Sequence, residues 1–122
     1  MAMLIVLTTT ANEEEAGRLA HAIVESKLAA CVQILPQVTS VYFWEGKIHS
    51  EHEHLLLIKT LQEKFDDLSE FIHENHSYEV PEIVAIDAEK VSESYLSWLR
   101  DVLSRGAETT AVVDGDSIKP PA

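Results

Sequence analysis

Cysteine is almost absent. Cys31 is the only one in 122 residues, so no disulfide can form within the chain, and neither a CxxC redox pair nor a multi-cysteine zinc knuckle is available. Basic residues are also scarce: 9 Lys and Arg face 21 Asp and Glu, a formal charge of −12. Such a surface repels phosphate backbones and anionic lipid, which argues against nucleic-acid and membrane partners. No stretch approaches the roughly 20 apolar residues that cross a bilayer. The opening segment has no basic region, and its strongly apolar run, residues 4–7, is too short for a signal sequence. The expected location is the cytoplasm. There is no internal repeat, no Gly-rich phosphate loop, no HExxH pair and no EF-hand loop. What is present is the balance of an ordinary soluble domain, 46% hydrophobic and 25% charged. A chain of this length buries a core without metal or disulfide staples.

The pattern along the chain predicts a βαββαβ order followed by one more helix. Residues 4–9 form a short apolar run that reads as a buried strand. Asn12 then caps a helix over about residues 12–27, with Glu13, Glu14 and Glu15 suiting the positive end of its dipole. A long second strand runs through Cys31, Val32, Ile34 and Leu35, which read as buried, and on to Trp44. Pro36 marks a bulge or an edge within it. Glu45-Gly46 supplies a tight turn, and a third strand returns over residues 47–60. A helix is predicted over 61–75, a connector over 78–81, a strand over 83–88, and a helix capped by Ser92 and stopped by Gly106. The tail, 107–122, offers a short strand at 109–113 and a loose end. The expectation is therefore one α+β domain over residues 1–106. It is ferredoxin-like, an antiparallel sheet with helices on one face, plus an extra C-terminal helix and a long protruding hairpin.

That hairpin carries an argument about assembly. Residues 30–44 span about 50 Å at ~3.3 Å per residue, whereas a domain of this size is roughly 35 Å across. A lone two-stranded ribbon is marginally stable in water. This one ends in Val41, Tyr42, Phe43 and Trp44, an apolar tip of the kind that marks an interface. The ribbon is expected to pack on, or pair with, a second copy, unless Pro36 folds it back over its own sheet.

Several segments match one family in order and spacing. Ala29-Ala30-Cys31-Val32, Val38-Thr39-Ser40-Val41-Tyr42-Phe43-Trp44-Glu45-Gly46-Lys47-Ile48 and Leu57-Ile58-Lys59-Thr60 are three of them. His76-Ser77-Tyr78-Glu79-Val80-Pro81-Glu82-Ile83 and Tyr95-Leu96-Ser97-Trp98-Leu99 are the others. Together they resemble the CutA family of divalent-cation tolerance proteins, over roughly residues 4–104. The resemblance implies a ferredoxin-like subunit in a homotrimer, a link to copper and divalent-metal tolerance, and an architecture similar to PII signalling proteins. It implies no catalytic activity. The single cysteine and the tail after Gly106 depart from the family pattern.

Candidate ligands follow. Cys31 is a soft donor for Cu(I), or a small hydrophobe in an apolar strand. His73 and His76 stand three apart near a helix end, where they suit a metal or the helix dipole. His52 and His54 alternate onto one strand face, as weak metal ligands or as a solvated surface. The resemblance offers Tyr42, Trp44, Lys59, Tyr78, Glu82 and Trp98 as the lining of a pocket between subunits, with Glu82 the natural partner for the Lys59 ammonium. That set reads equally as aromatic packing around a structural ion pair. A Cys31–His76 nucleophile pair lacks a third member and an oxyanion nest, so no enzyme is expected. Two functions stand side by side. One is a homotrimer that binds copper or another divalent cation, which folding does not require. The other is a PII-like trimer that binds a small ligand or a protein partner in the cleft between subunits.

Overall fold

The structure is a computed structural model that describes residues 2–104. Gly106, the tail and the strand expected at 109–113 lie outside the described residues. Four strands, β1 (Met3–Thr10), β2 (Cys31–Trp44), β3 (Lys47–Leu61) and β4 (Val84–Ala88), form one sheet in the order β2-β3-β1-β4. Every neighbouring pair is antiparallel, and β3 lies between β1 and β2, the split βαβ arrangement. The helices are α1 (Glu13–Glu25), α2 (Phe65–Glu74) and α3 (Glu93–Ser104).

The Asn12 side chain caps α1 by accepting the Glu15 amide at 2.8 Å. The helix ends at Glu25 with Ser26 as its C-cap, and Lys27 just beyond turns the chain away at a left-handed φ of 60°. The helix expected from residue 61 starts later. Leu61 pairs with Met3 and stays in β3, and a 3₁₀ turn, Gln62–Lys64, precedes α2. Of the apolar stripe expected for that helix, Leu61, Phe65, Leu68 and Ile72, the last three lie in α2 and Leu61 does not.

Alternation along the strands divides the core in two. Leu4 and Val6 of β1, with Leu56 and Ile58 of β3, face α1 and α2 and meet Ala16, Leu19, Ile23, Leu68 and Ile72. Met3 and Leu61 point the other way, where α3 closes over them with Leu99 and Leu103. The first two helices thus share one face, and the extra helix covers one end of the opposite face. The rest of that opposite face is open. Val84 and Ile86 are half exposed. Ile34 and Leu35, expected to be buried, are also exposed, at 38% and 40%. They sit on the edge strand, out toward the ribbon.

β1 reaches only to His54 of β3. Beyond that point residues 38–44 pair with 47–53 alone, seven pairs, or about 23 Å of free ribbon. A bulge marks its root. Pro36 and Gln37 together oppose only His54, and Gln37 takes a left-handed φ of 53°. The tip turns through Glu45 and Gly46, both at positive φ, which matches the right-handed twist of the strands.

Candidate functional site

A cleft of about 770 Å³ lies where the ribbon meets the segment after α2. Tyr42 and Trp44 of β2 form one wall. Tyr78, Val80, Pro81 and Glu82 form the other, and Glu53 of β3 lies between. Register explains the grouping. Tyr42, Trp44 and Glu53 occupy alternate positions of paired strands and project from one side, the side that α1 and α2 leave open.

Two tyrosine–glutamate pairs organise the cleft. The Tyr78 hydroxyl donates to Glu53 Oε2 at 2.6 Å, and the Tyr42 hydroxyl donates to Glu51 Oε1 at 2.7 Å. Burial, then the hydrogen bond and charge of Glu53, push the Tyr78 pKa well above its ordinary value. The hydrogen bond to Glu51 raises that of Tyr42. Tyr42 also stacks on the His49 ring at 5.3 Å.

A buried network holds the second wall. The His76 side chain is fully buried. Its Nε2 lies 2.6 Å from the Thr9 carbonyl, and its Nδ1 lies 3.0 Å from the Tyr78 amide. A carbonyl only accepts and an amide N–H only donates, so Nε2 carries the proton and Nδ1 is the acceptor. Glu15, 5% exposed, accepts from the Ser77 amide at 2.9 Å and from the Ser77 hydroxyl at 3.0 Å. Burial alone would push the Glu15 carboxyl up. The two Ser77 hydrogen bonds, His76 when it is charged, and the Ala11 amide outweigh it and hold the pKa below the ordinary value. The residues that lead into Tyr78 are thereby tied to the starts of α1 and the end of β1.

The six expected pocket residues separate into two places. Tyr42, Trp44, Tyr78 and Glu82 line the cleft. Lys59 and Trp98 do not. Within one chain Lys59 and Glu82 do not meet: Lys59 stands opposite Ile5 in the sheet, whereas Leu7 already pairs with Val84, so Glu82 lies further along, toward Thr9. The Lys59 ammonium instead sits 5.5 Å from the centre of the Tyr95 ring, which α3 brings over it. Tyr95 packs against Trp98 at 5.5 Å. Its buried hydroxyl has no nitrogen or oxygen partner among the described residues, and burial together with the neighbouring Cys31 pushes its pKa up to about 12.

The expected metal donors are also dispersed. Cys31 is half buried beside Lys59 and Tyr95, His73 is exposed on α2, and His76 spends both ring nitrogens on backbone groups. Among the described residues no group of three or more His, Cys, Asp or Glu could hold a metal ion. A cation on His76 would first have to displace Thr9 or Tyr78. Sequence reading passed over two residues that build the site, Glu15 and Glu53. The signal available was that both are acidic residues at positions where alternation or helical spacing points inward.

The split βαβ sheet, the long ribbon and the cleft at its root define the class: a ferredoxin-like α+β domain extended by a ribbon and a third helix. Residues 4–102 match the family described as "CutA1 divalent ion tolerance protein". The chain belongs to that family. It is 46% identical over 98 residues to the chloroplastic protein CutA of Arabidopsis thaliana, covering 80% of this chain and 54% of the plant protein. It is 45% identical over 97 residues to the divalent-cation tolerance protein CutA of Thermus thermophilus, covering 80% and 94%. The crystal structure of CutA1 from Oryza sativa superposes with a TM-score of 0.81 at 42% identity, covering 84% of this chain and 94% of that one. The chain spans about half the length of the plant relatives, 54% and 55%. No described helix is long and apolar enough to cross a membrane.

Proposed function

We propose that the chain works as a homotrimeric, non-catalytic divalent-cation tolerance protein of the cytoplasm, with copper among the ions it answers to. Family membership supports the link to divalent cations. The observation that carries assembly is the ribbon: seven strand pairs project past the sheet, and Val41, Phe43 and Ile48 at the tip are 68%, 72% and 74% exposed. Three copies that exchange these arms would bury them. Since Cys31, His73 and His76 do not converge in one subunit, an ion site with Cys31 as soft donor would need groups from a neighbour. Sedimentation at micromolar concentration is expected to give three times the 13.6 kDa chain mass. Titration with copper is expected to show binding that weakens in a Cys31→Ser, His76→Ala double variant. A folded species of one chain mass would end the trimer reading. Binding unchanged in the double variant would end the reading of those residues as ligands.

A second reading is favoured by the cleft itself. A concavity of about 770 Å³ lined by three aromatic rings is of the size that takes a small organic ligand. On this reading the trimer is PII-like, and binding at the cleft alters the surface that it shows to a protein partner.

A further inference from the structure

We propose that the cleft takes an organic ammonium ion, a quaternary or tertiary amine with apolar substituents. This rests on the second reading above, that the cleft is a ligand site, and adds the chemical class.

The first ground is an anion left half satisfied. Glu53 is 6% exposed, yet only its Oε2 accepts a hydrogen bond, from Tyr78. Its Oε1 makes none among the described residues. Oε1 is not sealed from solvent, and Glu53 lines the cleft, so a cation that enters can reach it. No Lys or Arg lines the cleft, and Glu51, Glu53, Glu79 and Glu82 form no ion pair among the described residues. Lys47, opposite Trp44 at the ribbon tip, is the nearest cation in register and lies outside the lining.

The second ground is the wall. Tyr42, Trp44 and Tyr78 face the space, and Tyr42 and Trp44 keep 38% and 41% of their surface exposed. Both tyrosine hydroxyls point at carboxylates, which commits their protons; His49 covers one face of Tyr42 and the His76 ring packs against Tyr78. Aromatic rings beside a mostly buried carboxylate attract a soft, weakly hydrated cation. Val80 and Pro81 add apolar surface for its substituents.

The third ground is size. A hard divalent ion such as Ca²⁺ or Mg²⁺ takes six or more oxygens at about 2.0–2.6 Å, and Zn²⁺ or Cu²⁺ takes a close group of His, Cys or carboxylate donors. The carboxylates here are not gathered in that way. One buried carboxylate, three rings and about 770 Å³ suit a bulky monocation instead. The overall charge of −12 draws such an ion toward the protein.

The test uses three probes of one shape and different charge: choline, its neutral isostere 3,3-dimethylbutan-1-ol, and the anion 3,3-dimethylbutanoate. Calorimetry on the full chain gives affinities, and the indole resonance of Trp44 reports the place. Choline is expected to saturate, to shift Trp44, and to bind at least about tenfold tighter than the alcohol. Glu53→Gln should remove most of that preference. Glu82→Gln, at an exposed position that leaves the fold intact, should weaken choline severalfold while leaving the alcohol unchanged. If the alcohol or the anion shifts Trp44 with affinity equal to or better than choline, the ammonium assignment is overturned and the cleft stands as a ligand site of another class. If no probe shifts Trp44, the assignment and the cleft reading fall together.

Discussion

Glu15 offers a direct measure of how the cleft is held. Its carboxylate takes two hydrogen bonds from one residue, Ser77, and stands 3.7 Å from His76 Nδ1. Glu15→Gln keeps the shape of the side chain and removes the charge. The amide oxygen can still accept one of the two bonds, but its NH₂ must face a donor. The change therefore costs one charge-assisted hydrogen bond and weakens the other, about 2 kcal/mol, given ~1.5–3 kcal/mol for each bond to a charged group. Urea unfolding at pH 7 should show that loss. Amide exchange should quicken at Ser77 and Tyr78 and stay unchanged in the middle of β1, if the network secures the segment rather than the sheet.

The pH dependence follows from the lowered pKa of Glu15. A carboxyl whose folded pKa lies below its ordinary 4.5 lends stability that is complete above that value and is lost as pH falls through the folded one. The wild-type advantage over Glu15→Gln should thus be constant near neutrality and shrink below about pH 4.5. A difference under ~0.5 kcal/mol at pH 7, within the range of ordinary surface substitutions, would refute the reasoning. So would a difference that does not change with acid.

Other consequences are as direct. The chain has three tyrosines, and all three have raised pKa values, so absorbance at 295 nm should show less phenolate at pH 10 in the folded protein than in urea, where about half is ionised. Stability from these hydroxyls is complete below pH 10 and is lost as pH rises through the folded values, which predicts alkaline unfolding. Gly17→Ala in α1 meets no atom within 4 Å and should stabilise by about 1 kcal/mol in thermal unfolding; destabilisation would mean that the helix is packed more tightly than the structure shows. Deleting Gln37 removes the bulge and its positive φ while leaving Leu35 opposite Leu55 and Val38 opposite Glu53. Amide protection along the ribbon should persist, while the Trp44 environment, read by fluorescence, should change as the ribbon loses the local twist that aims it.

Much of the fold was legible because each element carried its own periodicity. The residues 4–9 run, the Asn12 cap with three glutamates, and the stripe of Phe65, Leu68 and Ile72 each dictate local structure without reference to the rest. Pro36 foretold the bulge because a proline cannot donate to a ladder. The start of α2 was not legible, since Leu61 suits a strand end and a helix start equally well. At the site, the aromatic residues could be read from the family segments. The partner of Lys59 could not, because it depends on where α3 crosses the sheet. The burial of Ile34 and Leu35 was overestimated for a related reason: an apolar run shows what a strand would cover, not whether anything lies over it.

The open sheet face is polarised, and this bears on what it can bind. At one end Lys59 lies over Tyr95, so the cation already has its aromatic partner and α3 closes the site. At the other end the aromatic rings of Tyr42 and Tyr78 are linked through their hydroxyls to Glu51 and Glu53, and no cation is present among the lining residues. The same strand, β3, supplies Lys59 and both glutamates on one side by simple alternation, with Leu55 and Leu57 between them. The strand thus ends in a cation–aromatic pair and begins in anion–aromatic pairs, so the open face runs from positive to negative along β3. On the readings proposed above, a ligand or a second copy that brings positive charge is the one this end of the face favours.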